Sequence, residues 1–384
     1  MPSLLAFIAV GLRTPILPLY AGEITHAYGL IGLLVAAEGI GTLMADLPIA
    51  GLVRKLGPRW GMIIGLIVEA GTTVALMWVD SIALAIGLRL ISGIGFALFG
   101  IARHAYITEA IRIEVRGQAM SLFGGVYRAG LLVGPVVGGV IATRYGLRLP
   151  FAAYGIFCLA AILVLVFAKN HFLKSEPSTN TYGVNQIGLR EALKGRFWIF
   201  TCASFAQVLG QITRAGQSLI LPLWGADMLN LMPDQIGWAV SLTSAIGIAL
   251  FYPVGIIMDK VGRKATIVPS FILIGLGLAL LPLTHGYSGL LWISVLIGLG
   301  HGFGSGGMLT LGADLAPQNG TSAFLSAWRW IGDTGVSGGP VIVGYIAEAL
   351  ALPAASLVIA GASLLAALVF SVLVPETLKK KSRG

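Results

Sequence analysis

The chain has 384 residues, 57% of them hydrophobic and only 11% charged, with a mean hydropathy of +0.90. Soluble domains are about a quarter charged, so this composition excludes an ordinary globular domain and places the chain in lipid. The net charge of +9 does not imply a nucleic-acid partner, which needs basic residues gathered on one solvated face; here they alternate with apolar runs.

About 20 apolar residues carry a helix across roughly 30 Å of hydrocarbon, so this length holds about twelve crossings and leaves no room for a separate catalytic domain. In chain order the apolar runs predict spans at 3–21, 29–53, 61–79, 83–106, 118–143 and 150–168, then at 198–224, 234–256, 266–284, 288–312, 322–348 and 353–374. The run beginning at Leu4 has no basic segment before it and continues through prolines, so it reads as a first span and not a cleaved signal. The stretch from 170 to 195, with SEPSTNTYGVNQ, is the one extended polar segment and reads as a linker. The predicted organisation is a six-helix bundle over 1–169, the linker 170–195, and a second bundle with a short basic tail over 196–384. Cys158 and Cys202 lie in separate apolar runs, without metal-ligand spacing, and read as small core residues.

Lys and Arg alternate strongly between the two sets of loops. Arg54, Lys55, Arg59, Arg112, Arg116, five residues between Lys169 and Arg196, Lys260, Arg263, Lys264 and the terminal Lys379, Lys380, Lys381 and Arg383 make seventeen on one side, against Arg144 and Arg148 on the other. The positive-inside rule predicts that both termini and the linker are cytoplasmic in a multi-pass cell-membrane protein.

The two halves also repeat. A shift of 205 residues superposes Pro48 on Pro253, Gly57 on Gly262, Gly93 on Gly298 and Gly134-Pro135 on Gly339-Pro340, as expected of a duplicated transport fold. GLLVGPVVGG, Gly130 to Gly139, and its echo GVSGGPVIVG each set glycines at helical spacing inside an apolar run. Gly130, Gly134 and Gly138 form one small-residue stripe, which lets a neighbouring helix approach closely in lipid; Pro135 removes a backbone donor and favours a bend.

GIIMDKVGRK, with Gly255, Asp259, Gly262 and Arg263, resembles the G-x-x-x-D-(R/K)-x-G-(R/K)-(R/K) signature of the major facilitator superfamily. The N-terminal copy, AGLVRKLGPR, has Arg54 where the acid stands; in that family this acid helps latch the halves on the cytoplasmic side. RLISGIGFA, Arg89 to Ala97, resembles the family's R-x-x-Q-G-x-G motif with Ser92 in place of glutamine. The fifth span supplies G-x-x-x-G-P-x-x-G-G in full, which in the superfamily marks the drug:proton antiporter branch. The resemblance implies an all-α membrane protein of about twelve transmembrane helices in two pseudo-symmetric six-helix bundles, a substrate site near the midplane between them, and alternating access.

Ionisable residues inside the membrane cost at least about 2.5 kcal/mol each, so each marks a pair or a wet cavity. Arg13 and Glu38 fall at similar depths and can pair; Glu69 lies mid-way along the third span, Arg89 in the fourth, Arg128 in the fifth and Arg214 in the seventh. Arg329 and Asp333 are four apart and share a helix face. Asp333 stands at the repeat position of Arg128. Proton coupling needs a carboxylate that can be emptied and refilled, so Asp333, Glu38 and Glu69 are the proton-coupling candidates, each with a permanent salt bridge as its alternative. Substrate-cavity candidates are Arg13, Arg89, Arg128, Tyr127, Gln217, His301 and Trp328; Tyr20 and Trp224 add aromatic surface. Trp60, Trp78 and Trp292 read as interfacial anchors.

No Walker loop, nucleophile triad or His/Cys cluster is present in the sequence, so no enzyme, metal or cofactor is expected. The predicted function is proton-coupled export of small organic molecules, a multidrug-type antiporter acting as a monomer. The surplus of arginine over acid favours an organic-anion or metabolite exporter as the alternative, and a non-transporting receptor or scaffold is a third reading.

Overall fold

The computed structural model describes residues 2–110, 116–167, 197–317 and 321–378; the linker 170–195 lies outside them. The described residues form helices α1 (Pro2–Ile24), α2 (Tyr28–Leu56), α3 (Pro58–Ala75), α4 (Ile82–Ala110), α5 (Arg116–Tyr145), α6 (Leu149–Phe167), α7 (Phe197–Leu223), α8 (Pro233–Ala249), α9 (Phe251–Lys260), α10 (Lys264–Leu280), α11 (Gly286–Phe303), α12 (Gly307–Leu315), α13 (Thr321–Leu350) and α14 (Leu352–Val372). A helix satisfies its own backbone hydrogen bonds, which is what lipid demands.

All twelve expected spans are helical, two of them in two pieces. The eighth span is α8 and α9, bent by 44°, three residues before Pro253, which cannot donate to Ala249. The tenth is α11 and α12, separated where Gly306 takes a left-handed φ of 76°, a conformation open to glycine. By length and apolarity nine helical segments among the described residues suit a membrane crossing, ten with the bent pair. The polar α7 and α13 are long enough but are not among them.

The chain divides into two compact units. Unit 1 is Met1–Ser178, Ser218–Ser241 and Pro340–Ala349; unit 2 is Thr179–Gln217, Leu242–Gly339 and Leu350–Gly384. Unit 1 therefore holds α1–α6 with the end of α7, the start of α8 and the end of α13. Those added segments are tied in by carboxylates: Tyr28 Oη donates to Asp227 Oδ2 at 2.8 Å, the Gly29 amide donates to Glu348 Oε2 at 2.8 Å, and Thr143 Oγ1 donates to Asp234 Oδ1 at 3.1 Å.

Within unit 1, α1 is the most enclosed helix, with 72% of its apolar window buried. The α5 glycine stripe lies against it. A Cβ at Gly130 would strike Phe7, at Gly134 the backbone of Gly11 and Leu12, and at Gly138 the Leu12 carbonyl. Unit 2 repeats the contact between α13 and α7, where Gly335 lies on Val208 and Gly339 on Ile212. Each unit has its own apolar core, one around Leu66, Phe99, Tyr154 and Cys158, the other around Phe200, Phe271, Phe324 and Trp328.

Candidate functional site

The two glycines of the α4 motif build the site. A Cβ at Gly93 would meet the Glu38 carbonyl, and one at Gly95 the Gly65 carbonyl and Glu69 amide. So α2 and α3 press onto opposite sides of α4, and the carboxylates of Glu38 and Glu69 enter one interior. Arg89, one helical turn before Gly93, lies level with Glu38. Thr42 Oγ1 reinforces the α2–α4 contact by donating to the Gly93 carbonyl at 3.1 Å.

Four charges meet there. Arg13 Nη2 donates to Glu38 Oε2 at 2.5 Å, and Arg89 Nη2 donates to the same oxygen. Arg13 Nη1 lies 3.7 Å from Glu69 Oε1, which also accepts from the Tyr154 hydroxyl on α6. The Arg13 guanidinium sits over the Tyr154 ring, 5.3 Å from its centroid, a cation–π geometry. Arg89 Nη1 donates to Ser92 Oγ at 3.1 Å, so the residue replacing the motif's glutamine is a partner of the motif's arginine. Side-chain exposure is 1% for Arg89, 2% for Glu69, 7% for Arg13 and 14% for Glu38; Glu38 is the wettest member. Two guanidiniums and two carboxylates balance, which is how charge is retained in a dry interior.

The expected pairing of Arg13 with Glu38 is therefore present, and Glu69 and Arg89 belong to the same cluster. Tyr154 and Ser92 were not predicted. Tyr154 is one aromatic in an apolar span, and nothing in the linear pattern separates it from a core residue.

Elsewhere in unit 1, Tyr127 is 40% exposed and packs edge-on to Phe7 at 4.9 Å. Arg128 beside it is half-buried. Arg103 on α4, also missed, lies over the Phe7 ring at 4.8 Å and faces Phe99 at 5.8 Å. Tyr20 is a correction: its hydroxyl donates to the Leu76 and Val79 carbonyls at 2.8 Å each and its ring is fully buried, so it pins the end of α3 and offers no cavity surface. Unit 1 also holds a cavity of about 360 Å³ with Glu23, His26, Tyr28 and Asp227 on its polar wall; no predicted site residue lines it.

In unit 2, Gln217 and His301 join α7 to α11 through a 2.9 Å contact between Oε1 and Nε2. Arg329 Nε lies 3.4 Å from Asp333 Oδ2, with side-chain exposures of 69% and 37%. Trp328 is a second correction. It is 4% exposed, stacks on Phe324 and donates from Nε1 to the Met308 carbonyl at 3.2 Å; an indole so satisfied is core. Trp224, at 3% exposure, is buried too. Trp60, Trp78 and Trp292 are exposed.

At the signature loop, Arg263 Nη1 reaches Asp259 Oδ1 at 3.2 Å and Nε reaches Asp314 Oδ2 at 2.9 Å. Gly262 has a φ of 141°, outside the range of ordinary side chains. Glu376, which follows α14 and was not predicted, accepts from the amides of Arg263 at 2.9 Å and Lys264 at 3.0 Å, capping the start of α10. Burial works to raise the Glu376 carboxyl, but backbone donors at Leu378, Arg263, Lys264 and Thr377 outweigh it and hold it below the ordinary carboxylate range.

Apolar helices long enough to cross a membrane, with a balanced set of charges held between them, define a multi-pass membrane protein. The Major Facilitator Superfamily model matches residues 3–213 and again 203–384, so the chain belongs to that superfamily, and it is a transporter and not an enzyme. An uncharacterized MFS-type transporter of Methanocaldococcus jannaschii is 24% identical, over 90% of this chain and 89% of its own length. Multidrug resistance protein 2 of Bacillus subtilis is 25% identical over 68% of this chain, and the synaptic vesicular amine transporter of Mus musculus 25% over 84%. The chain spans 66% and 62% of those two relatives' lengths. Among solved structures, the nucleoside transporter NupG has a TM-score of 0.77 at 16% identity, covering 96% of this chain and 97% of that one. A POT family transporter in complex with a thioalcohol-conjugated peptide gives 0.77 at 12%, covering 97% and 94%. At these identities the two structures speak for the fold alone.

Proposed function

We propose that the chain is a secondary active transporter that couples export of small organic molecules to proton entry by alternating access, with Glu69 as the group that takes up and releases the proton. The observation that carries this reading is the buried cluster of Arg13, Glu38, Glu69 and Arg89. Glu38 holds two guanidiniums and serves as the fixed counter-charge; Glu69 has the single, longer contact to Arg13. Protonating Glu69 leaves the cluster with one net positive charge and removes its attraction for Arg13, which stays held by Glu38 alone, a change that four helices feel at once. Asp333, solvated and paired on its own helix, has less to gain from neutralisation. It is assigned to the C-terminal bundle's polar surface and not to the proton.

The multidrug and amine transporters among the relatives support small organic substrates. A second reading, export of organic anions, is favoured by one observation: Arg103 lies over the Phe7 ring that Tyr127 packs against, and Arg128 follows Tyr127 in the chain, so two cations flank one aromatic pair. The loop charges favour a cell-membrane location with cytoplasmic termini, the organisation into bundles 1–169 and 196–384 follows the 205-residue repeat, and a monomer suffices for the cycle.

Proteoliposomes with an imposed pH gradient test this, using ethidium, a monoamine and an aromatic carboxylate as probes. Gradient-driven movement of a probe, abolished by a protonophore, is expected. If none of the three drives or follows proton flux, proton antiport is wrong for this chain.

A further inference from the structure

The cluster has one member that no charge pattern announces. Tyr154 comes from α6, a helix otherwise apolar at this level, and is fully buried. Its hydroxyl donates to Glu69 Oε1, the same oxygen that faces Arg13 Nη1. Its ring carries the Arg13 guanidinium, so one tyrosine touches both the carboxylate and the cation. The titratable and charged groups around Glu69 are Arg13 from α1, Glu38 from α2, Arg89 from α4, and Tyr154 and Cys158 from α6. Among them Tyr154 is the one neutral hydroxyl donor to the Glu69 carboxylate.

A hydrogen bond to an ionised acceptor is about twice as strong as one between neutral groups. A phenol aimed at a carboxylate oxygen therefore favours the ionised form, and it weakens its hold when a proton arrives and an O–H bond forms on Glu69. Resting on Glu69 as the proton carrier, we propose that Tyr154 is a positioning residue for proton exchange: its hydroxyl fixes the Glu69 carboxylate against Arg13 and promotes release of the proton. Because α6 packs on both α1 and α3, the same bond ties the protonation of Glu69 to the packing of three helices.

The test is infrared difference spectroscopy of the full chain in liposomes, titrated with pH and without any substrate. The protonated carboxyl band of Glu69 is assigned as the one lost in Glu69→Gln. In Tyr154→Phe the midpoint of that band is expected to move alkaline by about one pH unit, since a hydrogen bond to a charged group contributes about 1.5 kcal/mol or more and one unit corresponds to 1.36 kcal/mol. Leu159→Ala, on the exposed side of the same helix, leaves the midpoint in place. Biosynthetic 3-fluorotyrosine, a stronger donor in the unmutated chain, moves it acid and covers the case in which Tyr154→Phe fails to fold. A midpoint unmoved by either change overturns the role of Tyr154 while leaving Glu69 as carrier. Absence of any titrating band lost in Glu69→Gln overturns both.

Discussion

Gly93 on α4 lies against the backbone of Glu38 on α2, so closely that a Cβ at 93 would strike the Glu38 carbonyl. That contact sets the height of Arg89 relative to Glu38. Gly93→Ala must push α4 away, and overpacking of this kind costs about 1–3 kcal/mol. Cys158 and Cys202 are both buried, so thermal unfolding followed with a thiol-reactive dye reads the loss. Gly100→Ala, at a position where a Cβ meets nothing within 4 Å, is the neutral control.

The charge cluster is expected to behave as a unit. Removing one partner of a buried ion pair costs about 3–5 kcal/mol, so Arg89→Leu and Glu38→Leu each lower the unfolding midpoint strongly. The double variant falls short of the sum, with a coupling of at least about 0.5 kcal/mol. Additive losses in the same dye assay would show that the two side chains act independently.

Much of this was legible in the sequence. The twelve runs, the 205-residue offset and the glycine stripes are periodic features, and periodicity survives translation into helices. Intramembrane Arg13, Glu38, Glu69 and Arg89 stood out because charge is expensive in lipid. Tyr154, Arg103, Asp314 and Glu376 did not, since their roles depend on which helices are neighbours. Tyr20 and Trp328 went the other way: an amphipathic ring is an equally good cavity wall and core residue until its hydrogen-bond partner is known.

Gly134→Leu is expected to arrest transport, because its side chain meets the α1 backbone at Gly11 and Leu12. Gly338→Leu, on the companion helix where a Cβ meets nothing within 4 Å, is tolerated. Initial rates of probe movement in proteoliposomes, normalised to reconstituted protein, separate the two. Equal rates would make the close approach of α5 to α1 dispensable.

Glu376 predicts an acid sensitivity at the start of α10. Its carboxyl lies below the unfolded value, so its contribution is fully present above the ordinary carboxylate pKa and is lost as pH falls through the lower folded value. Hydrogen exchange at the amides of Arg263 and Lys264, corrected for intrinsic rate, should lose protection over that acid window in the native chain. In Glu376→Gln it should be weak at every pH. Protection that ignores both acid and the substitution would mean that other contacts hold the loop.

The central claim is that Glu69 carries the coupled proton, and the direct measurement is probe accumulation driven by a pH gradient, set beside exchange of the same probe at equal pH on both sides. For Glu69→Gln the gradient-driven component is predicted to vanish while exchange persists, and Asp333→Asn is predicted to keep both. Wild-type accumulation in Glu69→Gln, with its loss in Asp333→Asn, would contradict the account and move the proton to the C-terminal bundle.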